Sequence, residues 1–360
     1  MFRSGAAELP LHGGRCPAWL FARMRELGSA ICEAIIIEFG TRELLARLAD
    51  PYFFQSLGCV LGYDWHSSGL TTTLTAALKE GLNLEEHGVA LCGGKGKVAK
   101  RTPMEVEALG DKLTTRKVEE LKRASKLAAK VDNVVLQDGF DLYHHVICFD
   151  ERGNWVVIQQ GMNVESRLAR RYHWISFKVR SFVEEPHAAI CSDVRQDYVL
   201  NLTSKLSREA REVSLDLVKE GNFTKYFREL KHSSQRTLDE ILGNARYLRL
   251  PRNFPWNALK EAYELQPKSY EELLEVKGMG KSAIRALALV AKLIYGASID
   301  WRDPVKYSFA HGGKDRVPYP IDKPNYERSI AVLREAIEGA KVGNKERLNM
   351  LRRLSALTKL

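Results

Sequence analysis

The sequence predicts an α+β protein: a mixed N-terminal region with a β-hairpin flanked by helices, then an all-helical C-terminal region. Three observations predict it. Two β-rich runs, Tyr143–Asp150 and Asn154–Met162, flank Glu151-Arg152-Gly153, which has turn composition. Ahead of them, apolar residues recur at helical spacing, as in Val118, Leu121, Ala124 and Ala128. After Glu184-Glu185-Pro186 the pattern is helical, with nothing plainly β-like.

Taken in order, residues 17–61 read as short helices: one from Pro17, a second over Ala30–Phe39 and a third over Arg42–Ala49. The segment Gly62–Gly69 (GYDWHSSG) interrupts them, and Thr71–Glu80 resumes as helix. His87–Cys92 is a candidate strand leading into a glycine-rich loop, Gly93–Lys97 (GGKGK). Thr102-Pro103-Met104-Glu105 has the form of a capping box with proline at the first helical position. A long helix follows over Val118–Val131. Beyond the boundary, helices are expected at Arg208–Lys219, Thr237–Leu242, Trp256–Leu265, Tyr270–Val276, Lys281–Tyr295, Tyr326–Glu338 and Glu346–Leu357. This organisation suggests an α+β catalytic domain (1–185), a helical connector (186–250) and a helical DNA-binding domain (251–360).

Composition narrows the class of partner. The chain has 55 basic and 45 acidic residues among 360, a net charge of +10, which favours a polyanion: nucleic acid or an anionic membrane surface. The membrane alternative falls away, because the apolar run Ala286–Tyr295 is short and contains Lys292, whereas a spanning helix needs about 20 apolar residues. The N-terminal residues lack the apolar stretch of a secretory signal. Six scattered cysteines with no CxxC pair read as buried thiols of a reducing cytoplasm. DNA, duplex or single-stranded, is the expected partner.

The sharpest local signal is Ser269–Gly296, SYEELLEVKGMGKSAIRALALVAKLIYG. Ser269 and Glu272 form a capping box, and Leu273, Leu274 and Val276 give the first helix an apolar side. Lys277-Gly278-Met279-Gly280-Lys281 makes the bend, and Ile284, Leu287, Ala288 and Ala291 share one face of a second helix. Glycine there removes Cβ atoms and permits unusual backbone angles, so that N–H groups point at a phosphate oxygen. The start of the second helix adds exposed amides, and Lys277 and Lys281 add charge. The pattern resembles the helix-hairpin-helix family. In the glycosylase branch of that superfamily a catalytic aspartate follows the second hairpin glycine by about twenty residues. Asp300 has that spacing from Gly280, and Ser282 stands where bifunctional members carry a lysine. The resemblance implies a monofunctional glycosylase site; Asp300 equally suits capping of the segment that follows.

Polar residues also gather in the N-terminal region. Asp64 and His66 precede a helix start, Asp138 and Asp141 precede His144 and His145, and Gln159 and Gln160 end the second hairpin strand. Alternation places His144 and His145 on opposite faces of their strand. A carboxylate with imidazole and amide neighbours suits Mg²⁺ or Mn²⁺, which would activate water for phosphodiester hydrolysis. On this reading Asp64 and Asp138 hold the metal, with His66, Asp141, His144 and Gln159 beside it, and Lys95 and Lys97 neutralise the scissile phosphate. Each residue also has an ordinary role open to it, such as a helix cap for Asp64 or a hydrogen-bonded core imidazole for His66. Gln159-Gln160-Gly161 replaces the acid-x-lysine of restriction-type nucleases. Arg167, Arg170 and Arg171, ahead of Tyr172, His173 and Trp174, suit phosphate contact with rings stacking on bases.

Six segments, LPLHGGR (Leu9–Arg15), LGYDWHSSGLTTT (Leu61–Thr73), GGKGK (Gly93–Lys97), QQGMN (Gln159–Asn163), ARRYHW (Ala169–Trp174) and DPVKYSFAHGGKD (Asp303–Asp315), resemble a full-length family of archaea and thermophilic bacteria described as a domain of unknown function. That resemblance carries no catalytic assignment. The expectation from the residues is a metal-dependent nuclease acting in DNA repair; the alternatives are the Asp300 glycosylase and a non-enzymatic repair scaffold.

Overall fold

A computed structural model describes residues 16–63, 68–192, 194–223, 225–226, 255–306 and 323–358. Asp64, His66 and the expected helix Thr237–Leu242 lie outside the described residues. The fold is α+β, as the alternation and helical spacing predict. The N-terminal helices are α1 (Ala18–Phe39), α2 (Thr41–Ala49), α3 (Pro51–Val60), α4 (Gly69–Gly81) and α5 (Leu84–His87). The two short helices expected before Phe39 are one. Ser29, the polar residue between them, is accommodated within the helix, its hydroxyl donating to the Arg25 carbonyl at 2.9 Å. Asp50 caps α3, accepting from the amides of Tyr52 (2.8 Å) and Phe53 (3.3 Å), with Pro51 in the first turn.

Strands β1 (Val89–Lys95), β3 (Asp141–Asp150), β4 (Trp155–Asn163), β5 (Leu168–Ile175) and β6 (Ala189–Cys191) form one antiparallel sheet in the order β1-β3-β4-β5-β6. A separate ribbon pairs β2 (Leu136–Gln137) with β7 (Leu200–Asn201). β6 and β7 correct the expectation that nothing β-like follows residue 186. Runs of two and three residues are too short to show alternation, and their pairing partners define them. The GGKGK segment is also corrected: Gly93, Gly94 and Lys95 are the end of β1, opposite Val146, His145 and His144. Only glycine fits at 93, since a Cβ there would lie 2.2 Å from the His145 carbonyl oxygen. Nor do Thr102 and Glu105 form a box at α6 (Thr102–Glu107). The Thr102 hydroxyl donates to the Ala99 carbonyl, and the Glu105 carboxylate takes the Gly93 amide at 2.7 Å and Lys79 at 2.6 Å.

The remaining helices are α7 (Thr115–Lys130), α8 (Arg208–Glu220), α9 (Trp256–Leu265), α10 (Tyr270–Glu275), α11 (Lys281–Tyr295), α12 (Lys323–Gly339) and α13 (Asn344–Thr358). The sheet lies between two helical layers, because successive residues of a strand face opposite sides. Val146, Cys148, Val156, Ile158 and Ile175 pack with α1 to α4, and with Leu333, Ile337, Met350 and Leu354 of α12 and α13. Ile147, Phe149, Val157 and Trp174 face α7, α8, α10 and α11. Apolar packing therefore crosses both boundaries drawn from the sequence, at 185 and at 251. No helix among the described residues is long and apolar enough to cross a membrane.

Candidate nucleic-acid interface and the adjoining cleft

The hairpin begins where its capping residues place it. The Ser269 hydroxyl accepts the Glu272 amide at 3.2 Å, and the Glu272 carboxylate accepts the Lys268 amide at 2.7 Å. The chain then bends: Gly278 has φ +77°, open to glycine and costly to other residues, and Gly280 is extended at the entry to α11. Lys277 and Gly278 are exposed, while the Met279 side chain is fully buried and anchors the bend. Lys130 reaches across from α7 to donate to the Met279 carbonyl at 2.7 Å. The first hydrogen bond of α11 runs from the Ile284 amide to Gly280. The amides of Lys281, Ser282 and Ala283 meet no protein acceptor among the described residues. Lys281 itself is ion-paired with the exposed carboxylate of Asp141.

Strand pairing assembles two rows of polar side chains, one on each face of the sheet. His144, Gln160 and Arg171 lie side by side toward α3 and α4. The Thr75 hydroxyl meets His144 Nε2 at 3.0 Å. The Gln160 amide donates to the Ser68 carbonyl at 3.0 Å and to the Tyr143 hydroxyl. Arg171 donates to Gln55 (3.0 Å), to Thr71 (3.3 Å) and to His173 Nε2 (2.8 Å). His144 Nδ1 and Gln160 Oε1 are buried without a partner among the described residues. Burial pushes the His144 imidazole down to about 3. Lys95, opposite His144, lies 5.7 Å from the Tyr143 ring centroid, and Lys97 is exposed beyond the strand end. The structure thus brings Lys95 and His144 together, beside the Gln160 side chain that reaches the Ser68 carbonyl.

The other face carries His145, Gln159 and Tyr172 in register. Ser125 meets His145 Nε2 at 2.7 Å, and His145 Nδ1 meets Gln159 at 2.9 Å. The Gln159 amide donates to Asp132, which also accepts Trp174 Nε1 at 2.8 Å and His187 Nε2. Asp132 stands on a π-helical turn, Val131–Val135, that continues α7. Close by, Asp138 Oδ2 accepts Arg170 (2.8 Å) and the Tyr172 hydroxyl (2.7 Å), while Oδ1 accepts the Phe140 amide. Arg170 is shared with Asp303, at 2.7 and 3.1 Å.

These partners correct several expectations. Asp138, expected beside a metal, is fully buried with both oxygens taken, and its counter-charge is Arg170. Arg170, Arg171 and Trp174 do not form a nucleic-acid surface, since all three have no exposed area and are engaged inside the fold. Arginine beside aromatic residues looks the same in sequence whether the strand is covered on one face or both. Arg167 alone of that group is exposed, with φ +56° in the β4–β5 turn. Asp141 belongs to Lys281 of the hairpin rather than to His144. Gln159 supports Asp132, on the face opposite His144.

A cleft of about 550 Å³ opens beside β6 and β7, lined by His187, Arg195, Asp300, Arg302, Asp303 and Lys306 among others. Asp300 is placed by a bridge to Asn201 and by the Ser207 hydroxyl, which accepts its amide at 2.9 Å. Burial opposes its ionisation, but hydrogen bonds from the side chain and amide of Arg302 outweigh burial and hold its carboxyl below the usual range. The cleft is tied to the hairpin through Gln137, which donates to the Lys281 carbonyl (2.9 Å) and accepts from Arg285 (2.8 Å), while β2 pairs with β7. Sequence reasoning missed Asp132 and His187. A lone acid in the apolar run Val131–Val135 and a histidine directly after Pro186 were the available signals. Among the described residues, no three His, Cys, Asp or Glu side chains are grouped to hold a metal ion.

The chain belongs to the family described as "Protein of unknown function (DUF763)", whose model matches residues 5–321. No curated protein and no solved structure matches it.

Proposed function

We propose that this DUF763 protein holds DNA by its sugar-phosphate backbone at the Lys277–Lys281 bend and acts in DNA processing. One observation carries the reading: an exposed glycine bend presents Lys277 beside three α11 amides that have no protein acceptor among the described residues. Such amides, at the positive end of a helix, suit a phosphate oxygen. Contacts of this kind read no bases, so binding is tolerant of sequence and sensitive to salt. The test is fluorescence anisotropy with labelled duplex and single-stranded DNA of mixed sequence. Wild-type protein binds, and Lys277→Glu/Lys281→Glu binds at least about tenfold more weakly, given that each lost charge-assisted contact is worth about 1.5–3 kcal/mol. Unchanged affinity in the double variant sinks the reading.

The processing step has two candidate seats. A metal-dependent nuclease centre would draw on Lys95 and His144, which pair across β1 and β3, together with Asp64 and His66, while Asp138 is held by Arg170 and Tyr172. Strand cleavage supported by Mg²⁺ or Mn²⁺, abolished by EDTA and by Asp64→Ala, would support it. A glycosylase reading is favoured by the position of Asp300 in the cleft, ionised and tied through β7 and β2 to the hairpin. Abasic sites formed without metal, and lost in Asp300→Asn, would support that reading. Binding with no product under either condition leaves a repair scaffold.

A further inference from the structure

We infer that the cleft beside β6 is a hydrolytic site in which His187 acts as general base on a phosphodiester of the bound strand, with Asp132 as its positioning residue. The inference rests on the DNA-binding reading for its natural substrate, not for its chemistry. Asp132 has no exposed surface, and no arginine or lysine pairs with it among the described residues. Its side-chain partners are Gln159, Trp174 and His187. A carboxylate accepts, so His187 bears a hydrogen on Nε2, and in the neutral imidazole the lone pair lies on Nδ1. That nitrogen has no protein partner among the described residues and is not sealed from solvent, and the residue lines the cleft.

The surroundings fix the ring rather than fill a core. Trp174 packs edge-on against His187, with centroids 4.8 Å apart, and donates to the same carboxylate that the imidazole meets. Behind them, Gln159, His145 and Ser125 lock the far side of Asp132. The π-turn that presents Asp132 breaks the regular helix, a distortion concentrated at functional sites. A chain of buried hydrogen bonds ending on one open imidazole nitrogen is the geometry by which a base is oriented. Arg195 and Lys306, exposed on the cleft rim, supply charge for a phosphate.

In the step, His187 Nδ1 takes a proton from water as the water oxygen bonds to phosphorus. The phosphorus–oxygen bond to the leaving sugar breaks, that oxygen keeps the electron pair and is protonated by solvent, and His187 returns its proton to solvent. One water is consumed, giving a phosphomonoester and an alcohol.

The experiment follows DNA binding and strand cleavage together, with bis(p-nitrophenyl) phosphate as a small diester probe, with and without Mg²⁺. His187→Gln, which keeps an amide for Asp132, and His187→Ala are expected to bind DNA as wild type does. Both lose about 100-fold or more in turnover of the probe and of DNA, and added imidazole restores part of it in His187→Ala. Asp132→Asn lowers kcat with KM little changed. Thermal melting of each variant, with and without imidazole, separates lost chemistry from lost fold, and imidazole rescue of turnover at an unchanged melting temperature marks a chemical role for His187. Wild-type turnover that survives in His187→Gln, or DNA binding with neither substrate hydrolysed, overturns the site while leaving the hairpin reading intact. Probe hydrolysis that depends on His187 in a protein that binds no DNA overturns the hairpin reading and retains the site.

Discussion

At the scale of single residues, the three histidines of β3 and β5 make acid stability a direct readout of the buried rows. His144, His145 and His173 are all held below their ordinary value of 6.5, in each case chiefly by burial, His144 to about 3. The unfolded chain therefore binds more protons than the native one between about 6.5 and each folded value. Stability is fully present above 6.5 and declines as pH falls, by up to about 1.4 kcal/mol per pH unit for each histidine. Urea midpoints from pH 7 to 4.5, above the main carboxylate range, are expected to fall steeply, and His144→Gln to flatten the slope by up to one histidine's share. A midpoint independent of pH over that interval would contradict the burial of all three. Alternation alone placed His144 and His145 on opposite faces. What each face meets was not legible, because an arginine bound for phosphate and one bound for Asp138 share the same sequence neighbourhood.

At the scale of elements, the hairpin and the end of β1 show where glycine can and cannot be read. Lys277–Lys281 announced itself because a capping residue, two glycines and flanking lysines fall at fixed spacing, and the bend at Gly278 follows that reading. The glycines of β1 suggested a loop, since glycine is usually poor in strands. Gly93 belongs to the strand because the backbone of β3 and the Thr102 hydroxyl come too close for any side chain, and its φ of +107° disfavours one further. Gly93→Ala is expected to destabilise the protein by about 1–3 kcal/mol through backbone strain, with a comparable cost of about 1–3 kcal/mol from overpacking. Gly96→Ala, also at positive φ but with open space around it, pays only the strain. Equilibrium unfolding of the two variants measures the difference, and equal losses would mean that the contact with β3 yields freely.

For the whole molecule, periodicity alone did not foretell how the helical layers meet the sheet. Helical and β-like patterns reveal that a face is apolar but not which face it meets. The C-terminal helices α12 and α13 accordingly pack on α1 and α3, beyond the end of the family match at residue 321. The 55 basic residues are spread along the chain, yet some are committed: Arg170 is buried, and Arg211, Arg123 and Lys79 are paired within the fold. The count of basic residues thus overstates the number of phosphates the protein can neutralise, and salt dependence counts the ones it does. Each phosphate neutralised on duplex DNA contributes about 0.9 to the slope of log affinity against log salt. If the hairpin grips two phosphates with Lys277 and Lys281, reducing both to glutamine lowers that slope by about 1.8 while leaving the unfolding midpoint unchanged. A slope that stays at the wild-type value would move the DNA contact away from the bend, to Lys95 and Lys97 at the end of β1 or to the Arg167 turn, and the amides of α11 would then have no part in holding the backbone.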